Sequence, residues 1–210
     1  MTLIDKLIED GYLKTPAIIK AFRKIKREDF TPSEEKARVE INVPLPIGFG
    51  QTISQPLTVA FMIELLQPEA RDKILDVGSG SGWAAAILAE IVGAGGKVFG
   101  VERISELKEF GEKNMGKYNF IKKDVARMIC GDGYQGLPNE APFDKILVSA
   151  AAEEIPAELL KQLKVGGRMV IPVGGRYETQ DIVAIDKIGD DKFREEKYPG
   201  FVFVPLVRGM

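Results

Sequence analysis

Hydrophobic positions at the front of the chain recur with a helical period. Leu3, Ile4, Leu7 and Ile8 form one run and Ile18, Ile19, Phe22 and Ile25 a second, with Gly11 and Pro16 between them. This spacing predicts two short amphipathic helices within residues 2–27. From Phe30 to Pro56 no period holds, because Pro32, Pro44, Pro46 and Pro56, with Gly48 and Gly50, interrupt any long element. The segment reads as an irregular loop, and long loops inside compact domains are often functional. A helix is predicted over 57–66. Beyond it, short apolar runs alternate with helical stretches: KILDVG (73–78), KVFGVE (97–102), ARMICGDG (126–133), FDKILVSA (143–150) and GRMVIPVG (167–174) read as buried strands, with helices at 82–92, 104–116 and 155–163. That alternation predicts an α/β fold with a doubly wound, mostly parallel sheet. Two later runs, DIVAIDKI (181–188) and FVFVPLV (201–207), flank a polar turn at Gly189–Lys192 and predict an antiparallel edge hairpin, with the order of its strands left open. On this reading residues 1–66 are an N-terminal annex of helices and loop packed on an α/β domain of residues 67–210, the two making a single compact unit.

A length of 210 residues suits one domain. Lys plus Arg number 29 against 31 Asp plus Glu, and a net charge of -2 offers no electrostatic footprint for nucleic acid. The absence of histidine excludes mechanisms that need an imidazole base, and a single cysteine, Cys130, excludes cysteine-rich zinc sites and an intrachain disulfide. No metal centre is expected. Asp5, Glu9 and Asp10 interrupt the first apolar residues, and no window approaches 18 uninterrupted apolar residues, so a cytoplasmic address without membrane contact is the expectation. KREDF and DDKFREEK mix both signs of charge and read as solvated faces.

The sharpest chemical signal is LDVGSGSGW, Leu75 to Trp83, which closes one strand and opens a helix. Gly78, Gly80 and Gly82 permit a tight turn and close approach of the backbone to a ligand, and Ser79 lies between the first two; the helix start supplies unpaired N–H groups. The G-x-G-x-G spacing, with Trp83 where a dinucleotide fingerprint needs its last glycine, suits S-adenosyl-L-methionine. Taken alone, such a turn also occurs without a ligand. Two further features coincide with it. Glu102 ends the next strand, where a carboxylate can accept from both ribose hydroxyls, and Gly131-Asp132-Gly133 ends the third, where Asp132 can accept from an adenine amino group. Ligands of open α/β sheets bind at that edge. Asp76 could orient the glycine turn or a ligand's ammonium, or serve structure alone. Ser149 and Ala150 to Ala152 either leave room beside a sulfonium or simply lead into the following helix. Cys130 reads as a small core residue, Tyr134 as an adenine neighbour or a surface group, and Trp83 as packing for the first helical turn.

The segment LPIGFGQTISQP, Leu45 to Pro56, brings Thr52 and Ser54 together on either side of Ile53. Hydroxyls in such a loop most often stabilise turns. In order along the chain, IGFGQTISQP, DVGSGSGW, GDG, APFDKILVSAAAEEIP, LKQLKVGGRMVIPVG and FVFVPLV give a pattern that resembles the protein-L-isoaspartate O-methyltransferase family from about Leu3 to Val207. The resemblance implies a Rossmann-like class I methyltransferase fold. It also implies methyl transfer from S-adenosyl-L-methionine, leaving S-adenosyl-L-homocysteine, to the free carboxylate of L-isoaspartyl residues, and more weakly of D-aspartyl residues, in damaged proteins. It further implies that Ser54 contacts the substrate carboxylate as the active-site residue, that Thr52 lies close to cofactor and substrate, and that Ile53 and the backbone around Val204 help hold the isoaspartyl residue. Asp76, Gly78, Ser79, Gly80, Gly82, Glu102, Gly131, Asp132 and Gly133 are the expected cofactor residues. The substrates would be isoaspartyl-containing proteins and peptides, and the enzyme a monomer. Two departures stand out: Leu57 follows Pro56 where many members carry histidine, and the chain stops at Met210 where some relatives extend further.

This chemistry suits a chain without histidine. A carboxylate with a pKa near 4 is already ionised at neutral pH and needs no proton removed. The alternatives are a methyltransferase acting on another small-molecule or protein acceptor and a cofactor-binding regulator without turnover.

Overall fold

The computed structural model describes residues 1–175 and 178–209. The N-terminal annex forms as the apolar period predicts. Helix α1 spans Leu3–Glu9, where Thr2 and Asp5 close a reciprocal capping box; α2 spans Pro16–Lys24 with proline at its first turn. The segment read as irregular is more ordered than the sequence implies. It holds 3-10 turns at Arg27–Phe30 and Ser33–Arg38 and a small hairpin of β1, Leu45–Gly48, and β2, Gln51–Ile53. Proline and glycine break long elements but leave room for short ones, and the hairpin tip uses positive φ at Gly48, Phe49 and Gly50. Helix α3, Pro56–Leu66, begins one residue earlier than predicted because Pro56 supplies its first turn.

The remaining elements are β3 (Lys73–Val77), α4 (Trp83–Val92), β4 (Lys97–Glu102), α5 (Ser105–Gly116), β5 (Ala126–Cys130), β6 (Phe143–Val148), α6 (Ala157–Gln162), β7 (Leu163–Val173), β8 (Gln180–Gly189) and β9 (Lys192–Phe201). Among the described residues, seven strands form one sheet in the order β5-β4-β3-β6-β7-β8-β9. Strands β3 to β7 pair in parallel, and β8 and β9 close the sheet antiparallel. The chain leaves β3 towards β4 on one side and reaches β6 on the other, so a topological switch lies beside the carboxyl end of β3. One apolar cluster joins Leu7, Phe22, Phe30 and Leu45 of the annex to Ile74, Val98 and Leu147 of the sheet, with α3, α4 and α5 over that face. A second, with Leu75, Val77, Phe99 and Ile146, covers the opposite face beneath Leu159 of α6.

The second arm of the edge hairpin is Lys192–Phe201, not 201–207, although the polar turn falls where expected. An edge strand is held by its backbone on one side, and Arg194, Glu195, Glu196 and Lys197 all face water, so β9 shows no apolar period for the sequence to reveal. DDKFREEK is solvated as read, yet lies largely on this strand. Residues 203–206 instead run along Ala151, through Ala151 N to Val204 O at 2.8 Å and Leu206 N to Ala151 O at 2.7 Å, while Phe203 N donates to Gln180 Oε1 at 2.9 Å. Cys130 is exposed rather than in the core: it is the last residue of β5, and Ala126 and Met128, earlier on the same face of this edge strand, are the ones that are buried. No helix among the described residues is long and apolar enough to cross a membrane.

Candidate active site

The glycine turn occupies the switch point between β3 and β6. Gly78, Gly80 and Gly82 have φ of 75°, 51° and 84°, a region that side chains disfavour, which is why the motif spaces glycine at these positions. Gly78 N and Ser79 N donate to Val101 O at 2.8 and 3.1 Å, and Ser79 Oγ donates to Asp76 O at 2.8 Å, fastening the turn to β3 and β4. Glu102 is buried at the end of β4. Its Oε2 accepts from Gly80 N at 2.9 Å and its Oε1 from Ile104 N at 3.0 Å, which leaves each oxygen a further lone pair.

These groups border one cleft open to solvent. Gly78, Ser79, Gly80, Glu102 and Gly133 line one part of it; Thr52, Ile53 and Ser54 of the hairpin and Val204 of the C-terminal segment line another. Residues far apart in sequence thus converge on one space. Gly82 stands behind the lining as the cap of α4, where a Cβ would meet Gly111 O at 3.1 Å. Gly131 and Asp132 lie just behind Gly133. Both Asp132 oxygens accept backbone N–H groups, Oδ1 from Tyr134 and Oδ2 from Gly209, each at 2.9 Å. At Gly133 a Cβ would stand 2.6 Å from Val77 Cγ1 and 3.0 Å from Leu206 Cδ1, so a side chain there would push these walls apart.

Asp76 is wholly buried behind Ser149, which lines the cleft and whose Oγ lies 3.4 Å from Asp76 Oδ1; Asp76 Oδ2 has no protein partner. Burial pushes its carboxyl up to about 7; the hydrogen bond from Ser149 works against this, and the nearby charge of Glu102 raises it further. Trp83 packs edge-on against Phe22 at 5.8 Å, joining annex to domain as well as lining the cleft. Tyr134 is buried rather than on the surface, beneath the Arg208 guanidinium 4.5 Å from its ring centre.

Some residues escape the sequence reading. Ile47, Met62 and Leu206 supply apolar wall. Gly100 lets β4 approach the turn, since a Cβ there would meet Met128 Sδ at 2.5 Å and Ser79 Oγ at 2.7 Å. Its only sequence signal was a glycine inside an apolar strand.

A glycine turn at the switch point, an acid closing the next strand and this sheet order define the Rossmann-like class I methyltransferase fold. The family model described as protein-L-isoaspartate(D-aspartate) O-methyltransferase matches residues 1–210, and the chain belongs to that family. The protein-L-isoaspartate O-methyltransferase of Methanopyrus kandleri is 43% identical over 205 residues, covering 98% of this chain and 89% of that one. That of Methanothermobacter thermautotrophicus is 42% identical over 205 residues, covering 98% and 93%. A Plasmodium falciparum crystal structure described as this type of enzyme, in complex with S-adenosyl-L-homocysteine, superposes with a TM-score of 0.87 at 25% identity, covering 99% of this chain and 97% of that one.

Proposed function

We propose that this chain transfers the methyl group of S-adenosyl-L-methionine to the free carboxylate of L-isoaspartyl residues in damaged proteins, releasing S-adenosyl-L-homocysteine and starting their repair. The observation that carries this reading is the single cleft bordered by both the glycine turn with Glu102 and the hydroxyl-bearing hairpin with Ser54.

The residues present fit the donor. Glu102 keeps lone pairs for ribose hydroxyls, and Gly78, Ser79, Gly80 and Gly133 let backbone come close to the nucleoside; behind them Gly82 caps α4 and Gly131 N donates to Glu102 O at 3.0 Å. Asp132 keeps acceptor capacity beyond its two backbone bonds for an adenine amino group. The unpartnered oxygen of Asp76, in a carboxyl whose charge burial disfavours, suits the neighbourhood of the donor's ammonium. Once bound, S-adenosyl-L-methionine supplies a methyl group already activated on a sulfonium.

The task left to the chain is positioning. An isoaspartyl carboxylate arrives ionised, so Ser54 serves as a hydrogen-bond donor that orients it, not as a base. Thr52 and Ile53 shape the hairpin wall beside it, and the backbone around Val204, fixed to Ala151, receives the extended peptide. Binding between these walls takes water from the carboxylate, which makes its oxygen a stronger nucleophile towards the methyl carbon. Damaged proteins of varied sequence fit a site that recognises backbone. An exposed free thiol at Cys130 suits a reducing compartment, which supports a cytoplasmic address, and the monomer remains the expected state.

The test is incubation with methyl-labelled S-adenosyl-L-methionine and matched peptides containing L-isoaspartate or L-aspartate. Base-labile label on the isoaspartyl peptide alone is the expected result; donor binding without transfer to it would overturn the reading.

A further inference from the structure

Arg27 belongs to none of the motifs, yet it is the group that ties the candidate hairpin to the body. It opens the 3-10 turn Arg27–Phe30, and its carbonyl is pinned by Thr31 Oγ1 at 2.8 Å. The side chain is only 7% exposed. Its Nη1 donates to Val39 O at 3.1 Å and Ile41 O at 3.2 Å; its Nη2 donates to Val43 O at 2.7 Å and Ser54 O at 3.1 Å. Val43 lies two residues before β1, and Ser54 directly follows β2. One Nη nitrogen therefore clasps both ends of the hairpin neck, with its bond on the hydroxyl-bearing side falling on Ser54 itself. The guanidinium carbon also sits 5.6 Å from the Trp83 ring centre, and Trp83 opens α4 straight after the glycine turn.

Burying a cation is costly, and among the described residues no carboxylate lies within ion-pair distance of this one. Converging carbonyl dipoles and an aromatic face stabilise it, with the more distant charge of Glu40 adding to them, while its Nε stays without a partner. A planar fork spreads its donors over four acceptors in different directions, whereas an ammonium is a single point with three. Arg27 thereby fixes the backbone of Ser54, the residue proposed above to meet the substrate.

We infer that Arg27 is a positioning residue for methyl transfer, setting the orientation of Ser54 towards the acceptor carboxylate by clasping the neck of the hairpin. This rests on the function proposed above. It predicts an effect on the use of the acceptor, transmitted through Ser54, with the donor side left intact.

The test uses Arg27→Lys and Arg27→Gln in the full chain, assayed with an isoaspartyl peptide and titrated with S-adenosyl-L-homocysteine. Arg27→Lys should lower kcat/KM for the peptide by about tenfold or more through a raised KM and a lowered kcat, with Kd for S-adenosyl-L-homocysteine within about twofold of the parent. In a Ser54→Ala background the same change should cost less than about threefold, because the hydroxyl it orients is gone. A purely structural role would lower Tm without this coupling. Equal costs in both backgrounds, a parallel loss of donor affinity, unchanged kinetics, or failure of both variants to fold would overturn the inference. Failure of the parent chain to methylate the peptide would instead overturn the function on which it rests.

Discussion

Replacing Asp76 by asparagine takes a buried carboxyl from behind the wall of the cleft while keeping its shape. In the unfolded chain this group ionises near 3.8; in the fold, burial holds it up to about 7. Between those values the native state keeps a proton that the unfolded state has lost, so stability falls as pH rises through this window and becomes flat above it. At about 1.4 kcal/mol per pH unit, Asp76 costs the fold about 4 kcal/mol at pH 8 relative to pH 4. Asparagine does not titrate. It leaves an amide donor where Oδ2 now has no partner, a penalty of about 1–3 kcal/mol that is the same at every pH. The stability of Asp76→Asn minus that of the parent should therefore climb by about 4 kcal/mol from pH 4 to pH 8, with nearly all of the rise below pH 7. Titrating groups that do not interact with Asp76 are common to both chains and cancel in the difference. Urea unfolding followed by fluorescence of the single tryptophan, buried Trp83, measures it directly. Parallel stability curves for the two proteins would refute the reasoning. Saturation with S-adenosyl-L-homocysteine, which carries an ammonium, should flatten the dependence of the parent.

Ser54→Ala removes a hydrogen bond to a charged acceptor, worth about 1.5–3 kcal/mol, and should lower kcat/KM for an isoaspartyl peptide by about 10 to 100-fold while Kd for S-adenosyl-L-homocysteine is unchanged; parent-like kinetics would remove Ser54 from the mechanism. Glu102→Ala strips the acceptor from Gly80 N and Ile104 N, and should weaken S-adenosyl-L-homocysteine binding by at least about tenfold in calorimetric titration. Gly82→Ala forces a side chain into φ 84° and against Gly111 O, and should destabilise the fold by about 1–3 kcal/mol in chemical denaturation; an unchanged midpoint would show that the cap relaxes freely.

The glycine turn, the acid at the end of β4 and the βαβ alternation are legible because their causes are local. A positive φ demands glycine wherever it falls, and a strand buried on both faces must be apolar along its whole length. Strand β9 was missed for the converse reason, since an exposed edge imposes no hydrophobic period. The exposure of Cys130 is not legible because an apolar run does not say where its cover ends: Ala126 and Met128 are buried on the same face, and the last residue of β5 is not. The hairpin of β1 and β2 was hidden among prolines and glycines that forbid long elements without forbidding short ones.

By itself, then, the order of residues determined an α/β architecture, the segments that must turn, and a family resemblance that names the chemistry. Tertiary structure alone decided that Ser54 and Glu102 border one cleft, that Arg27 grips Ser54 across 27 positions, and that Gly209 reaches Asp132 across 77. Such contacts follow from how packed layers bring distant segments together, and the backbone carbonyls and amides they use are the same in every residue, so no side-chain pattern announces them.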